Sequence, residues 1–195
     1  MSILNRNLPS YGIDFDGVVC ATDELASKWV KTECGLDVPS YEIDREPLIA
    51  LIGQERYDRM CPEVYGELTL DAELIHWAAG SLLTLSHDAN LYVVTTRPPE
   101  RKQIAGQWLA DYDLLDLFVD LLGTQDTGIQ DDTKLGICQR YGMSAMVDND
   151  PRHLRAEVPD GFKKILLKEG STGKIEIPEG VILARNWDDV LDALE

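Results

Sequence analysis

Hydrophobic positions along the chain alternate between the short runs typical of buried strands and the three-to-four-residue spacing of amphipathic helices. The runs predict strands at residues 11–15, 91–94, 118–122, 145–147, 164–167 and 181–183. The helical spacing predicts helices at residues 22–34, 71–87, 98–112, 133–141 and 187–194. Strands that alternate with helices indicate an α/β fold, here a Rossmann-like three-layer arrangement around a parallel sheet.

One long stretch breaks this alternation. Residues 36–68 contain no clear strand pattern, and prolines and glycines recur through them. We therefore interpret residues 20–68 as a small, mainly helical cap that is inserted after the first strand. Residues 1–19 and 69–195 then form the α/β core.

Composition narrows the class of protein. The chain has 195 residues, of which 44% are hydrophobic, which suits one domain with a modest insertion. It has no apolar stretch long enough to span a membrane, and residues 1–9 lack a secretory signal. Its four cysteines form no CxxC pair, so we expect free thiols and a cytoplasmic location.

The net charge of the chain limits the partners that it is expected to bind. Asp and Glu number 35 against 18 Lys and Arg, a net charge of −17. Such a surface disfavours nucleic acids and anionic membranes. A small anion can still be held at a local positive site, so we expect a small-molecule partner. The sequence does not specify the oligomeric state.

The first predicted strand ends in two acids on one face. Asp14 and Asp16 are one residue apart, and Gly17 follows them. Their side chains point to the same side of the strand, at the sheet edge where α/β proteins bind ligands. Mg²⁺ is the cation that two such carboxylates favour, especially beside a phosphate. An acidic turn after an edge strand is the alternative interpretation of this string alone.

Polar residues also follow the second predicted strand. Thr95 and Thr96 can form an oxyanion cradle with nearby backbone N–H groups, although threonines are common at strand ends. Arg97, next in the chain, can hold a phosphate or a base, or form a structural salt bridge.

Two further positions carry candidate chemistry. Lys134 lies in the first turn of its predicted helix, where the helix dipole disfavours a cation, so either an anion or solvent is its partner. Asp148, Asn149 and Asp150 follow the fourth predicted strand and precede Pro151. They can add a metal ligand at the sheet edge, or form an Asx turn before the proline.

Taken in order, Asp-x-Asp-Gly, a strand-end Thr, a Lys and a strand-end Asp resemble the haloacid dehalogenase (HAD) superfamily of phosphohydrolases. The resemblance covers about residues 11–155. It implies that Asp14 is the nucleophile and a metal ligand, and that Asp16 is the general acid/base, with its backbone carbonyl also on the metal. It further implies that Thr95 binds phosphate, Lys134 orients nucleophile and phosphate, and Asp148 binds Mg²⁺.

The sequence departs from the family pattern at one position. The last motif often has two adjacent acids, and here Asn149 takes the second place. Either Asp150 substitutes for the missing acid, or the amide holds a metal-bound water. Trp29, on the insertion, either packs internally or faces the substrate.

These observations predict a Mg²⁺-dependent phosphomonoester hydrolase that acts through an aspartyl-phosphate on a small phosphorylated metabolite. The string Thr96-Arg97-Pro98 is similar to that of 5′-deoxynucleotidase-type members, which suggests a nucleotide. A nucleic-acid 3′-phosphatase and a phospho-receiver signalling module are the alternatives, along with a scaffold on an inactive hydrolase fold. The net charge argues against the first. The order of Lys134 before Asp148 argues against the second, and the intact set of catalytic positions against the third.

Overall fold

The computed structural model of the chain describes residues 4–126, 133–169 and 176–195. The strands in these ranges are β1 (Ser10–Ile13), β2 (Asn90–Thr95), β3 (Phe118–Gly123), β4 (Ala145–Asp148), β5 (Lys163–Leu167) and β6 (Val181–Ala184). The α-helices are α1 (Thr22–Cys34), α2 (Arg45–Ile52), α3 (Gln54–Val64), α4 (Ala78–Asp88), α5 (Pro99–Asp111), α6 (Lys134–Arg140) and α7 (Trp187–Leu194).

The strands form one parallel sheet in the order β3-β2-β1-β4-β5-β6. β1 lies between β2 and β4, with Ile13 opposite Val93 on one side and Val147 on the other. β2 and β3 lie on one side of β1, and β4, β5 and β6 follow on the other side. This strand order is the doubly wound Rossmann order and places a topological switch point between β1 and β4.

Helices cover both faces of the sheet, because the strands are apolar on both sides. On one face, α4, α5 and α7 pack against inward-pointing residues that include Ile13, Val93 and Val147. On the other face, α6 packs against Val94 and Met146. The α/β three-layer fold predicted from the sequence is therefore confirmed.

Helices α1, α2 and α3 follow the first strand and bury their own set of apolar side chains. This cluster is separate from those on the sheet and includes Ala26, Val30, Leu48, Met60 and Val64. None of the helices in the described ranges has the length and apolarity needed to cross a membrane.

The helix predicted at residues 71–87 begins only at Ala78, so the prediction is wrong for its first two turns. There the chain is extended, since Leu74 bridges to Cys20 and the Ile75 N–H donates to the Val19 carbonyl at 2.9 Å. Trp77, with φ of 64°, then reverses the chain into α4. The apolar residues before Ala78 have helical spacing, but backbone pairing with residues 19–21 outweighs it.

Candidate active site

The carboxyl ends of the three central strands bring the candidate residues together. Asp14 directly follows β1, Thr95 ends β2 and Asp148 ends β4. All three are buried, although two of them are acids. Their position is the switch point of the sheet, where α/β folds bind ligands.

Lys134 lies between the two central carboxylates. Its Nζ is 2.8 Å from Asp14 Oδ1 and 2.8 Å from Asp148 Oδ2, and all three side chains are at most 5% exposed. Lys134 is the first residue of α6, whose N-terminus starts beside the sheet edge. The Phe15 N–H also donates to Asp14 Oδ1, at 2.8 Å. The lysine predicted from a helix first turn thus has two anionic partners.

The two carboxylates differ in their electrostatics. Burial raises the pKa of Asp14 to about 7, with Lys134 opposing the rise and Asp148 and Asp16 adding to it. Burial acts in the same direction on Asp148, but Lys134 and His153 outweigh it and hold its pKa below the ordinary value. One ammonium group therefore serves two buried carboxylates, of which Asp148 is held ionised more firmly than Asp14.

Asp16 forms a two-pronged ion pair with Arg97. Arg97 Nε and Nη2 donate to its two carboxylate oxygens at 2.9 and 2.7 Å. The guanidinium is buried, lies 4.9 Å above the Phe15 ring, and also donates to Thr69 Oγ1 and the Tyr65 carbonyl. Of the roles considered for Arg97, the structure shows the salt bridge, and it ties Asp16 to the segment that follows α3.

The two threonines differ in exposure. Thr95 is buried, and its Oγ1 accepts the Arg97 N–H at 3.1 Å. Thr96 is exposed and lines the cavity above the sheet edge, and its carbonyl accepts from Gln125 Nε2 at 2.9 Å.

The loop after β4 accounts for the amide at position 149. Asn149 Nδ2 donates to Asp23 Oδ2 at 2.8 Å, so a carboxylate from α1 stands beside the amide. Burial raises the pKa of Asp23 to about 7, while Lys168 opposes the rise. An acid at position 149 would face Asp23 and repel it. The carboxylate of Asp150 forms an ion pair with the Arg152 guanidinium, so it already has a partner within this loop.

Gly17 makes this contact possible. Its φ of +68° is in the left-handed region, and a Cβ there would lie 2.0 Å from Asn149 Nδ2 and 2.5 Å from Asp23 Oδ2. Only glycine combines that backbone conformation with the space the hydrogen bond needs.

The structure places Trp29 among the packed side chains of α1–α3, which is the internal-packing alternative. The ring is 7% exposed within the cluster of α1–α3, and it does not line the cavity above Asp14. Its Nε1–H donates to Glu63 at 2.8 Å, and Arg59 lies 5.4 Å from the ring centroid. Helical spacing on α1 turns the indole toward Met60 and its neighbours, not toward the sheet edge.

Two residues at this site, His153 and Asp23, were not singled out from the sequence. His153 Nδ1 lies 3.2 Å from Asp148 Oδ2, because the short 3₁₀ helix Pro151–Leu154 turns the chain back toward the strand end. The sequence feature that could have indicated this position is the Asp-Pro string, because it predicts such a turn. No sequence feature indicated Asp23, because its hydrogen-bond partner Asn149 is 126 residues away in the chain.

A cavity of about 530 Å³ opens above these groups. Asp14, Asp16 and Lys134 lie in its floor, and residues of α2, α3 and the start of α5 form its walls. Its volume is in the range of ligand pockets and well above that of a single phosphate ion.

The carboxylate oxygens at the cavity floor are the type of ligand that Mg²⁺ prefers. In the part of the chain that the structure describes, no three acidic, histidine or cysteine side chains are grouped as a ready metal site. Lys134 lies between Asp14 and Asp148, and Arg97 engages Asp16. Mg²⁺, however, commonly uses only one or two carboxylates and completes its octahedron with water and substrate phosphate. The two buried carboxylates of Asp14 and Asp148 meet that requirement in number and kind.

Comparison with solved structures identifies the fold class. The chain is similar to a haloacid dehalogenase-like hydrolase from Streptococcus pneumoniae, with a TM-score of 0.64, 14% identity and coverage of 98% of this chain and 100% of that one. A putative phosphatase from Clostridium difficile gives a TM-score of 0.63 at 18% identity, covering 98% and 100%. The magnesium-bound putative HAD-hydrolase YfnB from Bacillus subtilis gives 0.60 at 16% identity, covering 96% and 99%.

The structural neighbours are thus HAD-superfamily hydrolases and phosphatases, which confirms at the level of the fold the resemblance seen in the motifs. No protein-family model and no curated protein matches the sequence. At these identities the likeness concerns the fold, so the activity rests on the site.

Proposed function

We propose that this chain is a Mg²⁺-dependent phosphomonoester hydrolase that acts through an aspartyl-phosphate intermediate. The observation that carries the proposal is the buried group of Asp14, Lys134 and Asp148 under the cavity, with Asp16 two residues from Asp14. A carboxylate attacks phosphorus only where the phosphoryl charge is neutralised. Lys134 supplies a fixed positive charge at that place.

In the proposed reaction, an Asp14 oxygen attacks phosphorus and the bond to the ester oxygen breaks. The departing oxygen takes a proton from Asp16. Asp16 then removes a proton from a water that attacks the aspartyl-phosphate, which releases inorganic phosphate and restores Asp14. To protonate the departing oxygen, Asp16 must carry a proton taken up from solvent beforehand, and its ion pair with Arg97, which favours the ionised form, opposes that uptake.

Asp14, Asp148 and the Asp16 backbone carbonyl are the groups that we propose hold Mg²⁺. When bound, the ion would neutralise charge on the transferring phosphoryl group. Thr95 and Thr96 are proposed to contact phosphate oxygens. One structural neighbour was solved with magnesium, which supports the choice of metal.

Residues 20–68 are proposed to form a cap over the cavity, because α1–α3 have their own hydrophobic cluster and α2 and α3 line the cavity walls. The substrate is proposed to be a small phosphorylated metabolite, with a nucleotide as one candidate from the Thr96-Arg97-Pro98 string. The free state of all four cysteines supports the cytoplasmic location that we propose.

The test is phosphate release from a panel of phosphorylated metabolites and a generic aryl phosphate, with and without Mg²⁺. The proposal expects continued turnover, with many phosphates released per protein molecule. A phospho-receiver would take up one phosphoryl group per molecule and stop. A folded protein that releases phosphate from none of these compounds contradicts the proposal.

A further inference from the structure

Two arginines on the cavity wall lack the acidic partners that the other cations of the cavity have. We propose that the substrate carries a second anionic group, a carboxylate or a further phosphate, which binds between Arg45 and Arg101. The scissile phosphate would lie at Asp14 and Lys134 in the floor of the same cavity. The inference rests on the proposed phosphatase function and names its substrate class.

The two arginines come from different elements of the cavity wall. Arg45 is the first residue of α2, and Arg101 lies in the first turn of α5, next to the sheet. Both line the cavity that opens above Asp14. A substrate that extends from the floor into the cavity therefore has guanidinium groups from both α2 and α5 within the same cavity.

The remaining cations of the cavity are already neutralised. Lys134 pairs with Asp14 and Asp148, Arg97 with Asp16, and Arg152 with Asp150. Across residues 4–126, 133–169 and 176–195, by contrast, no carboxylate lies within ion-pair distance of Arg45 or Arg101. Arg45 lies 5.8 Å from the centroid of the Tyr57 ring.

The acidic residues of the wall are engaged elsewhere. Asp44 pairs with Lys168 at 2.8 Å, and Asp23 accepts from Asn149 at 2.8 Å. Asp58, which is exposed, accepts from Gln54 at 2.7 Å. Arg45 and Arg101 therefore keep charge that is available to a ligand.

Both guanidinium groups act on the same stretch of α3. Burial raises the pKa of the Cys61 thiol. A hydrogen bond with Tyr57 and then the positive charges of Arg101 and Arg45 oppose the rise, while the charge of Asp58 adds to it. Cys61 also lines the cavity, so the two arginines face one shared region of it. Two guanidinium forks on a shared region suit a carboxylate or phosphate, which each can bind through paired hydrogen bonds.

The placement of these arginines is unfavourable without an anion. Each lies in the first turn of its helix, where the helix dipole disfavours positive charge. The chain has 35 acidic residues, yet among the described residues neither of these two arginines has an ion-pair partner. A bound anion offsets both effects.

Three compounds of equal chain length test the proposal: 3-hydroxypropyl phosphate, 3-phosphooxypropanoate and propane-1,3-diyl bisphosphate. We expect kcat/KM to be higher by about tenfold or more for the anionic tails, the range of hydrogen bonds to charged groups. The two anionic tails separate carboxylate from phosphate recognition. Equal kcat/KM for all three compounds overturns the inference while leaving the phosphatase function in place.

The variants Arg45→Gln and Arg101→Gln should each lower the ratio of kcat/KM between an anionic and the neutral tail by about tenfold. Since the ratio is taken within one preparation, a loss of folded protein cancels. Arg56→Gln is the matched control, because Arg56 is an exposed arginine of α3 that does not line the cavity. An equal loss on every substrate would mean a structural role and overturn the inference.

Binding provides a second measure that does not need turnover. Calorimetric titration of Asp14→Asn should show tighter binding of the two anionic-tailed compounds than of 3-hydroxypropyl phosphate. Adding Arg45→Gln or Arg101→Gln should remove the difference, and adding Arg56→Gln should keep it. If Asp14→Asn binds all three equally, the second anion site is excluded, whether or not the parent protein is a phosphatase.

Discussion

Lys134 organises the candidate site at the scale of single residues. It contacts Asp14 and Asp148 at 2.8 Å each, so two acids from separate strands share one internal cation. Buried carboxylates without such a partner would destabilise the folded chain strongly. We propose that the same ammonium also orients a substrate phosphate, which would link the stability of the site to its proposed chemistry.

Replacing the proposed nucleophile is the most direct test at this scale. Asp14→Asn should abolish phosphate release, because an amide does not attack phosphorus, and we expect a loss of several orders of magnitude in kcat. Steady-state phosphate release and a circular dichroism spectrum check activity and fold. Asp192→Asn, an exposed acid on α7, is the control and should keep full activity. Near-normal turnover by a folded Asp14→Asn protein contradicts the mechanism.

Metal removal tests the oxygen donors of the site. Exhaustive chelation should abolish phosphate release, and Mg²⁺ should restore it. Ca²⁺ should inhibit, because its looser geometry and higher ligand number allow it to bind both oxygens of Asp14. The measurement is turnover in chelated protein as each ion is titrated back. Undiminished turnover after chelation would exclude the metal requirement.

Asp23 should make stability depend on pH. Its folded pKa of about 7 is above that of an unfolded aspartate, about 3.9, so the folded state binds the proton more tightly. The associated stability is complete below about pH 4 and is lost as the pH rises through about 7. Urea unfolding across that window should show a smaller loss for Asp23→Asn than for the parent, while Asp192→Asn follows the parent. Parallel curves for parent and Asp23→Asn contradict this prediction.

At the scale of elements, the sequence predicted the sheet well because each strand is a short apolar run. All six strands overlap their predicted positions, and α5, α6 and α7 lie within one residue of theirs. These elements are determined by local patterning and by turn residues. Their parallel pairing follows from the intervening helices.

The prediction failed where partners distant in sequence decide the local structure. Residues 72–77 have helical spacing, but residues 73–75 within them pair with residues 19–21. The sequence likewise indicated Asp14, Lys134 and Asp148, because each stands at a strand end or helix start. It gave no indication of Asp23 beside Asn149 or of Arg45 and Arg101 across a cavity, since no spacing rule relates them.

The turn between β1 and α1 provides a prediction for one element. Gly17→Ala should destabilise the protein by about 1–3 kcal/mol, because alanine is strained at positive φ and its Cβ meets Asn149. Gly35→Ala is the control, since its φ of +69° carries similar strain but no atom lies within 4 Å of the added Cβ. Urea unfolding compares them, and equal losses would mean that the contact with Asn149 adds nothing.

At the scale of the whole molecule, α1–α3 are joined to the sheet through polar contacts around the cavity. Asp44, before α2, pairs with Lys168 after β5, and Asp23 on α1 accepts from Asn149 after β4. Arg97 donates to the carbonyl of Tyr65 after α3. Because α1–α3 have a separate hydrophobic cluster, these contacts are well placed to hold the two parts together.

Breaking one of these contacts should loosen α1–α3 more than the sheet. Lys168→Gln should lower the free energy of unfolding by about 1–2 kcal/mol, because Lys168 is 8% exposed and its loss leaves Asp44 unpaired. Hydrogen exchange should accelerate in α1–α3 and stay unchanged in β1 and β4. Lys31→Gln breaks an exposed pair with Asp37 and should have little effect. Uniform acceleration across the chain would contradict a local role.

The strand order has a consequence for folding during synthesis on the ribosome. β1 is the first strand to emerge and lies in the middle of the sheet, yet its neighbours β2 and β4 start only at Asn90 and Ala145. The central strand therefore has no neighbour until β2 is synthesised, and its other side stays unpaired until β4 is synthesised. Helices α1–α3 emerge next and can bury Met60 and its neighbours among themselves at once. Nascent chains should thus become resistant to protease first in α1–α3. Resistance around Asp14 should come only later, when β4 pairs with β1.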